Sequence, residues 1–142
     1  MSKLTIALDI MGGDHGPPVI LPAAVKAIQF HPDVHFTLCG DEDTIKAGIQ
    51  PLTDSERNRV TIVHCSQVVE MGEAPTSALR NKKDSSMRRV IELVESGEAN
   101  ACVSAGNTGA LLTLSFYLLK TLSGIDRPAL INMMPTTGHH NV

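Results

Sequence analysis

Asp9, Asp14 and His15 lie together in the stretch Asp9-Ile10-Met11-Gly12-Gly13-Asp14-His15-Gly16-Pro17. Carboxylates and an imidazole can relay a proton or, as hard and borderline ligands, hold a cation. Gly12, Gly13 and Gly16 let the backbone take positive φ and approach a ligand closely. The stretch follows an apolar run, Leu4–Leu8, and precedes a helical pattern. A glycine-rich turn between strand and helix is where open α/β sheets bind anions and nucleotides. The spacing matches neither G-x-G-x-x-G nor G-x-x-x-x-G-K-[ST], so no generic nucleotide fingerprint is present. The bland alternative is a tight turn capped by Asp14 with His15 solvated. Two acids and a histidine at the end of a first strand favour function over it.

Two further clusters follow strands. Arg80, Lys82, Lys83, Arg88 and Arg89 gather many of the chain's cations within ten positions. Ser104-Ala105-Gly106-Asn107-Thr108-Gly109 is a second glycine-bearing corner. Backbone N–H groups at such a helix start can face an anion, and a nearby cation adds charge-assisted hydrogen bonds. Together the clusters describe a phosphate or carboxylate site. The competing reading of the basic run is a solvated face, with Arg88 paired to Glu92 at i, i+4. Asn107 is a helix cap on either reading, and Gly106 and Gly109 can serve close packing alone. No H-E-x-x-H pair supports a metal, and none is expected. His64 reads as structural, His31 and His35 as surface residues of a turn, and His139 and His140 as solvated.

The elements that must position these groups alternate between strand and helix, which predicts an α/β fold with a parallel sheet covered on both faces. Strands are expected at Leu4–Leu8, Val34–Cys39, Arg59–Cys65, Ala101–Ser104 (fully buried) and Ala129–Met134. Leu21, Ala24, Val25 and Ile28 form an i, i+3, i+4, i+7 stripe, with Pro22 in the first helical turn and His31-Pro32 ending the helix. A short helix is expected over Asp41–Gly48, and Pro51–Asn58 reads as polar connection. Asp84 is the expected N-cap of a helix with Met87, Val90, Ile91 and Val94 on its inner face, stopped at Gly97. Ala110–Lys120 is apolar nearly all round, so it should be buried in a core or under a partner.

Composition narrows the classes. A chain of 142 residues, 42 % hydrophobic, fits one domain with a real core. A net charge of −3 with 3 % aromatics and no tryptophan gives no support for nucleic acid or sugar platforms. Cys39, Cys65 and Cys102 are widely spaced within apolar runs, so buried free thiols in a cytosolic setting are expected. No signal peptide and no membrane-length run is expected from the pattern.

The Asp9–Pro17 stretch resembles the N-terminal signature of the PlsX family, the acyl-acyl-carrier-protein:phosphate acyltransferases of bacterial phospholipid synthesis. Ser77–Arg88, Ser104–Leu111 and Asp126–Leu130 resemble further motifs of that family, in order along the chain. The resemblance implies a three-layer α/β/α sandwich, Rossmann-like, with a mostly parallel sheet, related to phosphate acetyltransferase and isocitrate-dehydrogenase-like folds. Residues 1–142 would be the N-terminal part of a single acyltransferase domain, since family members are much longer and the fold is incomplete here. It also implies a cytoplasmic homodimer that visits the membrane surface, uses no cofactor, and passes an acyl phosphate to a membrane glycerol-3-phosphate acyltransferase. Its substrates would be acyl-acyl-carrier protein and inorganic phosphate.

On that reading Asp14, His15 and Asn107 are the catalytic candidates. Gly12, Gly13, Arg80, Lys82, Arg88, Ser104, Gly106 and Thr108 are candidates for binding phosphate or the carrier. The alternatives are a phosphotransacetylase-like enzyme using acyl-coenzyme A, a non-catalytic anion-binding fragment, and a metal-dependent hydrolase.

Overall fold

The computed structural model describes residues 4–131 and the backbone of two short strands, Met134–Pro135 and His140–Asn141. Four parallel strands form the main sheet: β1 (Leu4–Asp9), β2 (Val34–Gly40), β3 (Val60–His64) and β4 (Ala101–Val103), in the order β3-β2-β1-β4. β1 is central, with Leu8 opposite Leu38 on one side and Val103 on the other. Strand side chains alternate between faces, and the two cores follow that alternation. On one face Phe36, Leu38 and Ile10 pack with α1 (Pro17–Phe30) and α2 (Glu42–Gly48). On the other, Ala7 and Cys39 pack with α4 (Pro75–Asn81), α5 (Ser86–Glu95) and α6 (Thr108–Leu119). The result is the expected three-layer α/β/α arrangement.

Helix α1 buries Leu21, Ala24, Val25 and Ile28, the four residues of the predicted stripe. It begins earlier than expected, at Pro17. Pro17 and Pro18 fill the first helical positions, where no N–H is needed, so Pro22 lies inside the helix and not in its first turn. Pro22 is exposed, so water can solvate the carbonyl it leaves without a donor. Asp41 caps α2 by accepting from Thr44 N at 2.9 Å. Within the stretch read as connection lies α3 (Asp54–Arg57), held by a capping box of Thr53 and Glu56. Its signature, Thr-x-x-Glu, is plain in the sequence.

Four further expectations need correction. Ser85, not Asp84, caps α5 and accepts from Arg88 N; Asp84 instead receives Ser66 N at 2.9 Å and Ser66 Oγ at 2.6 Å. A serine has the short side chain that reaches the N3 amide, while the carboxylate one residue earlier points back to the β3–α4 loop. Strand β4 is not fully buried: among the described residues it lies at the sheet edge and pairs with β1 alone, and Val103 is 57 % exposed. His35 is not in a turn but in β2, half-buried, with Nε2 2.8 Å from Thr61 Oγ1. Of the strand expected over Ala129–Met134, residues 129–131 form none, 132 and 133 lie outside the described residues, and Met134 pairs with Asn141 in a separate antiparallel ribbon. An apolar run becomes a strand only with a ladder to join, and none reaches residues 129–131. His139 lies outside the described residues.

Among the described residues no helix is long and apolar enough to cross a membrane. Helix α6 buries Ala110 and Leu114 but leaves Phe116, Tyr117 and Leu119 exposed, so its apolar surface is covered only in part.

Candidate functional site

The two glycine corners meet at the carboxyl end of the central strands. Asp9 closes β1 and is 2 % exposed. Its Oδ1 accepts from Met11 N and Gly12 N, each at 3.2 Å. Its Oδ2 accepts from Ser104 Oγ at 2.6 Å, and Ser104 Oγ in turn accepts from Gly106 N at 3.1 Å. A buried carboxylate is tolerable because it is fully engaged by donors. One carboxylate thus clasps the loop after β1 to the loop after β4.

Glycine is required where the loops touch. A Cβ on Gly12 would sit 2.6 Å from Asp9 Oδ2 and 3.0 Å from Gly106 N. A Cβ on Gly106 would meet Met87 Cε at 2.6 Å. Gly13 has φ +93° and faces the Ala105 carbonyl.

Beside this clasp opens a pocket of about 210 Å³, lined by Gly12, Gly13, Asp14, His15, Ile20 and Ala105, among others. Asp14 and His15 are exposed at it, and neither side chain has a polar partner among the described residues. Asp14 does not cap α1: Gly16 occupies the cap position, with no side-chain bond. The start of α1 is a poor anion donor. Pro17 and Pro18 have no N–H, and Val19 N and Ile20 N both bond to Gly16 O. The start of α6 differs. Asn107 Oδ1 takes Ala110 N at 3.0 Å, which leaves Thr108 and Gly109 with first-turn N–H groups and no intrahelical acceptor.

Asn107 is buried and its amide is fully used. While Oδ1 caps α6, the two hydrogens of Nδ2 are shared among the carbonyls of Met71 (2.9 Å), Glu73 (2.9 Å) and Glu70 (3.2 Å). It fixes the loop that precedes α4 against the second glycine corner. Ser104 Oγ and Gly106 N are likewise engaged within the clasp. Of the candidates read from the sequence, Asp14, His15, Gly12 and Gly13 line the pocket. Ser104, Gly106 and Asn107 do not line it: Ser104 and Gly106 hold the clasp, Asn107 caps α6, and Thr108 is exposed at the start of α6.

The basic residues are elsewhere. Arg80, Lys83 and Arg88 line a separate depression of about 430 Å³ with Leu79 and Tyr117, and no residue of either glycine corner joins them. Tyr117 lies near the far end of α6, some nine residues and roughly 14 Å along the axis from Thr108. Lys82 is 3.8 Å from Glu73, and Arg88 Nε donates to Glu92 at 2.7 Å, the i, i+4 pair foreseen as the alternative. Arg89 pairs with Asp84 and Glu92. Hydrogen bonds from Ser66, with help from Arg89, hold the Asp84 carboxyl below the usual range.

Two of the three thiols are held protonated; the third, Cys65, is shifted down by its hydrogen bond with Cys39 but is 4 % exposed. The hydrogen bond to Cys65, together with burial, pushes the Cys39 thiol far up, and burial raises that of Cys102. Among the described residues no group of three His, Cys, Asp or Glu side chains is placed to hold a metal ion.

Residues 4–142 match the family described as "Fatty acid synthesis protein". The chain belongs to that family. Proteins named "Phosphate acyltransferase" from Halorhodospira halophila and Legionella pneumophila strain Paris are each 53 % identical to it, over 96 % and 97 % of this chain and 40 % of each relative. The namesake from Pseudoalteromonas atlantica is 53 % identical over all of this chain and 42 % of its own length. The chain therefore spans about two fifths of the curated relatives it matches. This is the PlsX family implied by the sequence motifs, and residues of the first three motifs form the glycine clasp and the basic depression.

The residue that sequence reasoning underrated in this fatty acid synthesis family member is Asp9. It stood out as a carboxylate, but its role as the clasp did not. The usable signal was an acid ending a buried strand and followed by glycines, where only backbone N–H groups can satisfy it.

Proposed function

We propose that this chain carries the phosphate side of a site that transfers a fatty acyl group from acyl-acyl-carrier protein to inorganic phosphate, giving an acyl phosphate. The observation that carries the reading is the pocket at the glycine clasp. Gly12, Gly13 and Gly16 line it together with Asp14 and His15, whose side chains have no polar partner among the described residues. A phosphate oxygen attacks the thioester carbonyl carbon, the C–S bond breaks, and the phosphate's proton passes to the departing thiolate. No protein nucleophile is needed. The protein's work is to position two anionic partners and to stabilise the oxyanion. His15 is suited to relay the proton, with Asp14 beside it to orient phosphate. Asn107 serves as a positioning residue, since its amide is spent on the α6 cap and the 70–73 loop.

On this reading the partners are acyl-acyl-carrier protein, inorganic phosphate, a second copy in a homodimer, and the membrane glycerol-3-phosphate acyltransferase that consumes the product. The setting is cytoplasmic with visits to the membrane surface. The test is thioester phosphorolysis by this chain beside a full-length relative, with acyl-acyl-carrier protein and acyl-coenzyme A compared. His15→Ala in the full-length protein should cut turnover by about a hundredfold, the scale of a lost proton relay. Unchanged turnover removes His15 from the chemistry. A preference for acyl-coenzyme A replaces the carrier reading, and phosphate binding by both proteins without phosphorolysis reduces the site to an anion-binding module.

A further inference from the structure

The depression between α4, α5 and α6 has a composition the glycine clasp does not explain. Arg80, Lys83 and Arg88 line it with Leu79 and Tyr117. An adjoining depression of about 490 Å³ shares Leu79 and Tyr117 and adds Phe116 and Lys120. Among the described residues no carboxylate lines either one, although the chain as a whole carries a net charge of −3. Arg80 and Lys83 have no acidic partner among the described residues, while every other cation of the run is paired: Lys82 with Glu73, Arg88 with Glu92, Arg89 with Asp84. Lys120 Nζ stands 4.9 Å over the Tyr117 ring. Phe116 and Tyr117 are 46 % and 51 % exposed. Aromatic and aliphatic groups beside two unpaired cations, Arg80 and Lys83, are the composition of a protein interface. A solvated charged face would interleave acids.

We propose that this face docks an acidic amphipathic helix of a partner protein. Leu79 and Tyr117 receive its apolar residues, and Arg80 and Lys83 its carboxylates. Charge complementarity selects the acidic partner, and the apolar centre selects a protein over a free phosphate. The inference rests on the acyl-transfer reading in one respect: that reading makes the acyl-carrier protein the natural partner. The docking face is set apart from the chemistry, which leaves room for a flexible acyl-bearing arm to reach the clasp.

The experiment titrates dye-labelled acyl-carrier protein with this chain at low salt, following anisotropy. The double variant Arg80→Glu/Lys83→Glu should bind at least about tenfold more weakly, as for lost complementary charge at a rim. Tyr117→Ala should weaken binding too, without changing its salt dependence. Lys26→Glu, on the opposite helix layer, should bind like the parent. Inorganic phosphate binding, read by phosphorus NMR, should be unchanged in the double variant. Lys83→Glu alone, with an unaltered melting curve, serves if the double variant is unstable. Equal carrier binding by parent and charge-reversed chain overturns the proposal, as does no carrier binding by a parent chain that still binds phosphate. Capture of anionic phosphatidylglycerol vesicles in place of the carrier also overturns it. Carrier binding with no phosphate binding supports the docking face and sinks the acyl-transfer reading instead.

Discussion

The glycine clasp and the basic face are two ways of making a polar surface from one fold, and they differ in who satisfies whom. At the clasp the polar groups are backbone N–H donors and one buried carboxylate, arranged by loops whose approach a Cβ on Gly12 would obstruct. On the basic face the polar groups are long side chains, most of them neutralised by acids one turn or one loop away. The clasp is therefore rigid and costly to disturb, while the face is tolerant and electrostatic. Catalysis needs the first property and recognition of a large partner tolerates the second.

Asp9→Ala should break the contrast most strongly. It leaves two backbone donors and a serine hydroxyl without their shared acceptor in a buried site, and should cost about 3–5 kcal/mol, the sum of such unsatisfied groups. Urea unfolding checks it; a loss below about 1 kcal/mol would mean the clasp does not hold the loops. Asn107→Ala should follow, at about 2–3 kcal/mol, from a lost cap and the carbonyls of Met71 and Glu73 left without this donor, the Glu70 carbonyl keeping Glu73 N. Hydrogen exchange should show residues 70–73 deprotected.

A smaller effect tests the pairing on the basic side. The Asp84 carboxyl is held below its ordinary value, so its contribution is present above the unfolded carboxylate range and fades as pH falls below about 4. The carboxylate is 42 % exposed, so screening keeps the effect under about 1 kcal/mol. Asp84→Asn should flatten the acid limb of the stability curve by that amount, and an unaltered limb removes Asp84 from the account. Smallest of all, Arg80→Ala should leave the melting temperature within error, about 0.5 kcal/mol or less, because it gives up no partner. A clear destabilisation would show that Arg80 is structural and weaken its assignment to docking.

Much of this was legible from residue order. Hydrophobic periodicity placed β1, β2, β3 and the buried stripe of α1, because burial on one face imposes its period on the sequence whatever the rest of the chain does. The glycine corners were legible too, since positive φ and close approach leave few other residue choices. The Thr53–Glu56 capping box was readable and overlooked, and α4, from Pro75 to Asn81, carries a Pro start that pointed to it.

Other features were set by tertiary structure. The sequence of Ala101–Val103 is that of a buried strand, but strand order put it at an edge. The run from Ala129 is strand-like, but a strand exists only where a neighbour supplies its ladder. Five cations in a row announced an anion site, and folding spent three of them on acids distant by four to nine positions. What the sequence determined by itself was local: period, turn chemistry, caps and family. What the tertiary structure decided was which polar groups were left unpaired, because a hydrogen bond or ion pair is a property of two places in the chain and only folding brings the second one near.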